Sequence, residues 1–157
     1  MNLSPSAQKV QQALNAFGIR LQVVELQAST RTAVEAAQAA GCQLGQICKS
    51  LIFKTALTGR PVLVIASGVN RVNEAKMSEL VGEALIKADP EFVRQHTGFA
   101  IGGVPPVALS QPLATYIDQD LLSHQEIWAA AGTPNAIFCL TPADLVRITG
   151  GQVVSIK

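Results

Sequence analysis

Two apolar runs at the centre of the chain limit the fold more than any other feature. CKSLIFKTA (48–56) and VLVIASG (62–68) are separated by the turn signal LTGRP. Short runs rich in Val, Ile, Leu and Phe, split by Gly and Pro, predict a β-hairpin buried on at least one face. Strand side chains alternate with period 2, so Lys49, Leu51 and Phe53 share one face and Cys48, Ser50, Ile52 and Lys54 the other. An ammonium group is therefore aimed along the face of a leucine and a phenylalanine. A lysine at a strand end ordinarily carries its head to water, so Lys49 stands out for its face and not for its residue type.

The flanking segments must cover this hairpin. A helix over about 5–17 is predicted by Ser4 as cap, Pro5 in the first turn, Gly18 as stop, and a stripe of Val10, Leu14 and Phe17. IRLQVVEL (19–26) reads as a strand. TAVE (32–35) is a capping box, and its helix ends at Gly41. Asn73 caps a helix through Val81, and Asp89 with Pro90 opens another that ends near Gly98. TYID and AIFCL read as strands with a helical HQEIWAAAG (124–132) between them. PADLVRI and QVVSI close the chain as a helix and a strand. The expected fold is α/β (α+β): one compact domain over residues 1–157, with helices around a mixed, barrel-like central sheet. The hairpin and the proline-broken strand argue against a purely parallel, doubly wound sheet.

With 157 residues, 48% hydrophobic and 15% charged, the composition is that of a globular domain with a real core. The opening MNLSPSAQKV lacks a signal-peptide layout, and no apolar run approaches a membrane span. Cys42, Cys48 and Cys139 make no CxxC pair and no even framework, which points to free thiols in a reducing cytoplasm. With His96 and His124 equally scattered, no metal site is expected, and no cofactor motif is present: P-loop, GxSxG and GxGxxG are all absent. Net charge is +1, yet residues 1–72 carry seven Lys/Arg against two Asp/Glu, and residues 73–157 carry five against nine. A basic half is compatible with touching a polyanion, although no basic run marks a nucleic-acid coat.

GGVPP (102–106) remains. Pro105 and Pro106 have no N–H and hold the chain extended. Donation falls to Gly102, Gly103 and Val104, and glycine permits close backbone approach to a ligand. A rigid loop of free N–H groups suits a developing oxyanion.

The order TAVEAAQAAG…QICKSLIFK…VLVIASG…GFAIGGVPP…AGTPNAIFCLTPADLVRITGG resembles the YbaK/ProX family of aminoacyl-tRNA editing domains over essentially the whole chain. The specific signals are the lysine opening the strand, Lys49, and the GxxxP loop from Gly102 to Pro106. The resemblance implies hydrolysis of the ester between a wrong amino acid and the terminal adenosine of a tRNA, tRNAPro above all. It implies a free-standing trans-editing enzyme, with prolyl-tRNA synthetase as a possible partner and no DNA or membrane role. Lys49 would hold the terminal adenosine, Gly102 and Gly103 with Val104 the oxyanion, and the substrate's free 2′-hydroxyl the attacking water.

Selectivity should come from pocket size, because one methylene is worth only about 1–3 kcal/mol in binding. The expected wall comprises Ile47, Phe53, Ile65, Phe99 and the backbone of the loop with Pro105 and Pro106. Relatives carry Asn after the lysine in alanine-clearing forms and Thr in cysteine-clearing ones; here the residue is Ser50. A synthetase-embedded relative has a histidine in the segment AGTPN, where Asn135 is the nearest polar candidate. Three other readings stay open at this point: a non-catalytic module binding a tRNA end, nucleotide or synthetase; hydrolysis of another activated ester; and redox chemistry at Cys48.

Overall fold

The computed structural model describes residues 3–157. Its helices are α1 (Pro5–Ala16), α2 (Ala33–Ala40), α3 (Glu74–Val81), α4 (Pro90–Thr97) and α5 (Pro142–Thr149). Its strands are β1 (Val24–Glu25), β2 (Ile47–Thr55), β3 (Pro61–Ser67), β4 (Leu85–Lys87), β5 (Ala114–Asp118), β6 (Ile127–Ala130), β7 (Ala136–Leu140) and β8 (Gln152–Val154). The eight strands form one mixed sheet in the order β1-β7-β6-β2-β3-β5-β8, with β4 also paired to β2. The antiparallel hairpin β2–β3 is its centre, and parallel pairs β2–β6, β3–β5 and β5–β8 extend it.

The alternation read from the sequence sorts the core into two faces. Cys48, Ile52, Leu63, Ile65, Ile117 and Phe138 pack with Ala7, Val10 and Leu14 of α1 and with Leu145 of α5. Phe53, Val62, Val64 and Ala66 pack on the other side with Met77 of α3, joined by Leu51. Ile47 continues that second face against Ala36 and Ala37 of α2. The caps act as expected: Ser4, Thr32, Asn73, Asp89 and Thr141 each accept a backbone N–H from the first turn of a helix.

Three expectations need correction. Residues 127–130 form a central strand, and 124–132 is not a helix. Ile127, Ala129 and Ala131 are fully buried, a period of 2 that alanine's helix propensity obscures and that pairing with β2 and β7 enforces. In 19–26 only Val24 and Glu25 are strand. Ahead of them the Gln11 side chain stands in for a neighbouring strand, donating to the Leu21 carbonyl and accepting from the Val23 N–H, both at 2.8 Å. Phe17 closes α1 as its C-terminal cap and is exposed rather than part of the core stripe.

The hairpin tip is clamped from outside. The Glu83 carboxylate accepts the N–H groups of Leu57 and Thr58, both at 2.6 Å, and the Thr58 hydroxyl at 2.9 Å. These bonds hold its pKa at about 2, down from 4.5, the Thr58 N–H contributing most. A carboxylate depressed on folding stabilises the native state fully above its unfolded pKa, and that contribution is lost as pH falls towards the folded value. The stability of the native protein in urea should therefore fall more steeply from pH 5 to pH 2 than that of Glu83→Gln; parallel pH profiles would contradict the clamp.

Candidate active site

Strand β2 is longer than its partners on one edge. At the ends of the hairpin, Gly68 donates to the Ile47 carbonyl at 2.8 Å and Thr55 to the Arg60 carbonyl at 2.9 Å. Antiparallel pairing alternates, so the odd-numbered residues of β2 bond to β3 and the peptide groups of the even-numbered residues face the opposite edge. On that edge β6 pairs with Ile47 and Cys48, and β4 with Phe53, Lys54 and Thr55. Residues 49–52 lie between the two registers. A cavity of about 460 Å³ and another of about 300 Å³ meet there, sharing Ser50, Leu51, Ile101, Gly102 and Val104. They are two lobes of one groove. The first lobe adds Thr30, Arg31, Lys49, Ile47 and Trp128. The second adds the apolar Ile52, Phe53, Ala88 and Val93, with Lys87.

The loop 102–106 is fixed along this groove by close backbone packing. Gly102 has φ +95°, and a Cβ there would stand 2.6 Å from Cγ of Arg31. A Cβ on Gly103 would meet the Thr133 backbone at 2.8–2.9 Å. The Gly103 carbonyl accepts the N–H of Gly132 at 2.8 Å, and the Gly103 N–H donates to the Ala100 carbonyl at 3.2 Å. Gly103 therefore anchors the loop, and its N–H is already used. Among the described residues, the N–H groups of Gly102 and Val104 make no hydrogen bond. Pro105 and Pro106 are buried behind the loop and do not line the groove.

Lys49 lines the first lobe, and its Nζ donates to the Asn70 carbonyl at 2.8 Å. A buried network holds that carbonyl in place. Asn70 Nδ2 donates to Asp118 at 2.8 Å and to Asp120 at 2.7 Å, while Asp118 also accepts the Ser67 N–H at 2.9 Å. Burial lowers the Lys49 pKa, the Arg71 guanidinium lowers it further, and Asp118 opposes them. Neither lobe has an Asp or Glu in its lining, whereas Arg31, Lys49 and Lys87 all line one. The groove thus favours an anionic ligand.

Of the residues selected from the sequence, Lys49, Ser50, Ile47, Phe53, Gly102 and Val104 meet at the groove. Ile65 and Phe99 do not reach it and are core side chains. Asn135 is also elsewhere: its Nδ2 donates to the Leu26 carbonyl at 2.6 Å and its Oδ1 accepts from Thr133, tying 26–30 to the β6–β7 turn. Sequence reasoning missed Arg31 and Thr30, which precede the capping box, and Ile101 beside the loop. It also missed Trp128, the sole tryptophan, because that segment reads as helix.

The thiols are unsuited to nucleophilic or redox work. Burial first, then Asp118 and Cys139, raise the pKa of Cys48. Cys139 is pushed up to about 11 by burial and by Glu126, and burial raises Cys42. Among the described residues no three His, Cys, Asp or Glu side chains gather to hold a metal, and no helix is long and apolar enough to cross a membrane.

Comparison with known proteins identifies the family. A crystal structure of a proposed trans-editing enzyme for prolyl-tRNA synthetase is 54% identical and superposes with a TM-score of 0.93 over 99% of both chains. EbsC of Enterococcus faecalis, a proposed Cys-tRNA(Pro)/Cys-tRNA(Cys) deacylase, is 24% identical over 80% of this chain and 76% of its own. The proline–tRNA ligase of Limosilactobacillus fermentum is 32% identical over 57% of this chain and 16% of the ligase. The profile of the aminoacyl-tRNA editing domain matches residues 27–148, and the chain belongs to that family of hydrolytic editing enzymes.

Proposed function

We propose that this protein hydrolyses the ester joining a small, wrongly attached amino acid to the 3′-terminal adenosine of a tRNA, tRNAPro above all, in the cytoplasm and alongside prolyl-tRNA synthetase. The observation that carries this reading is the groove at the break in the β2 edge. It has three cations and no carboxylate in its lining, and two unspent loop N–H groups.

The first lobe takes the terminal nucleotide. Lys49 and Arg31 meet its phosphate or ribose oxygens, and Trp128 offers a ring on which adenine stacks. The apolar second lobe takes the amino-acid side chain. The N–H groups of Gly102 and Val104 receive the carbonyl oxygen as it becomes an oxyanion. Water adds to the carbonyl carbon and the bond to the ribose oxygen breaks. The ribose hydroxyl regains a proton, and the amino acid leaves as its carboxylate. An aminoacyl ester is already activated, so positioning and electrostatics suffice, with the substrate's free 2′-hydroxyl orienting the water.

Four measurements test the reading. In a deacylation time course with tRNAPro charged with alanine, cysteine, serine, 2-aminobutyrate or proline, one small amino acid should be released with proline spared. Lys49→Ala should slow that release about 100-fold, the order of a lost electrostatic contact to the bound substrate; a near-native rate would sink the role of Lys49. Trp128→Ala should raise KM about 10-fold with little change in kcat, as expected for one lost base-stacking contact. Gly103→Ala should lower kcat while the fold persists, because its Cβ must push the loop off the Thr133 backbone. Native kcat in that variant would show that the loop position is not critical.

A further inference from the structure

We infer, resting on that reading, that the aminoacyl group docks as the missing residue of the sheet, its N–Cα–C=O unit pairing with the peptide of Ser50. Ser50 is even-numbered, so its N–H and C=O point to the edge away from β3. Neither the β6 register, which ends at Cys48, nor the β4 register, which begins at Phe53, reaches it. Neither register supplies it a ladder partner, and its buried Oγ makes no hydrogen bond either. Ser50 also lines both lobes, at the junction where an ester linking a nucleotide to an amino-acid side chain has to lie.

An aminoacyl ester carries one residue's worth of donor and acceptor. In a narrow antiparallel pair the two residues exchange both bonds. The Ser50 N–H then donates to the ester carbonyl oxygen, and the Ser50 carbonyl accepts from the substrate's α-ammonium. This resolves a conflict in the groove's charge. Its cations suit phosphate, yet the substrate also brings an ammonium, and no carboxylate lines either lobe to receive it. A backbone carbonyl can accept it without opposing the phosphate. The Ser50 N–H joins Gly102 and Val104 from the opposite wall as a donor to the developing oxyanion. These contacts read what all amino acids share and leave side-chain choice to the second lobe.

The test separates the peptide from the side chain. Ser50→Ala is compared with the same protein carrying lactic acid at position 50, introduced by nonsense suppression. The two differ in one N–H replaced by an ester oxygen, and that N–H points away from β3, so the hairpin loses no donor and only the Lys49 carbonyl, now an ester, accepts more weakly in the ladder. The ester form should have a kcat about 100-fold below its alanine parent, the order of one lost oxyanion donor, with KM for charged tRNA unchanged. Equal kcat values in the two, with the alanine parent active, would overturn this inference and leave the proposed function standing. A native protein inert towards every charged tRNA would overturn both. If the ester form does not fold, the native protein is given a substrate whose α-ammonium has been converted to hydroxyl. With each rate divided by the uncatalysed hydrolysis of the same ester, a rate enhancement at least 10-fold smaller for the hydroxy form supports the pairing, and equal enhancements overturn it.

Discussion

Strand β2 has more edge than its neighbours cover, and the site follows from that shortfall. A buried peptide group without a partner is costly, so an interval of this kind has to face water or a ligand. Here β6 stops pairing after Ala129 because the chain turns away. Gly132, at φ +95°, donates to Gly103 and not to β2. The hydrogen bond that ends the strand is the same one that holds the glycine loop, so the opening and the loop beside it are made together. On the far side, β4 covers β2 only from Phe53 onward. The groove occupies what remains.

Charge is distributed to match. Asp118 is buried but turned away from the groove, its oxygens taken by Ser67, Asn70 and the Asp120 N–H. That network fixes the Asn70 carbonyl, which in turn holds the Lys49 ammonium at the first lobe. The acid thus acts through two hydrogen bonds to orient a cation, and the ligand meets positive charge only. Hydrolysis of an activated ester in such a site needs no protein nucleophile, in keeping with three thiols whose pKa values are all raised.

Much of this could be read from residue order. The β2–β3 alternation placed Lys49 with Leu51 and Phe53, and the helix caps and glycine stops are local signals that tertiary structure left alone. GGVPP was recognisable because glycine and proline act through the backbone of their own segment. What escaped depends on partners distant in sequence. The alanines beside Ile127 and Trp128 are helix formers by propensity, and the segment becomes a strand through two neighbours, one of them about 80 positions away. Ile65 and Phe99 have the right apolar character, but sheet facing and the packing of α1 send them inward. Asn135 is polar and near the turn, yet Leu26 claims its side chain. Gly103 reads as a donor from the sequence, whereas its N–H closes a turn onto Ala100. Apart from that turn, which is local, none of these outcomes has a local signature.

The most direct test of the break in β2 as the substrate site is a backbone amide NMR titration with 3′-deoxyadenosine carrying alanine through a stable 3′-amide. The amides of Ser50, Gly102 and Val104 should shift together and saturate at one concentration, with the Trp128 indole following. Shifts concentrated instead around α1 and residues 20–25, where a separate cavity is lined by Gln11, Arg20 and Glu25, with Ser50 and the loop unmoved, would contradict the account.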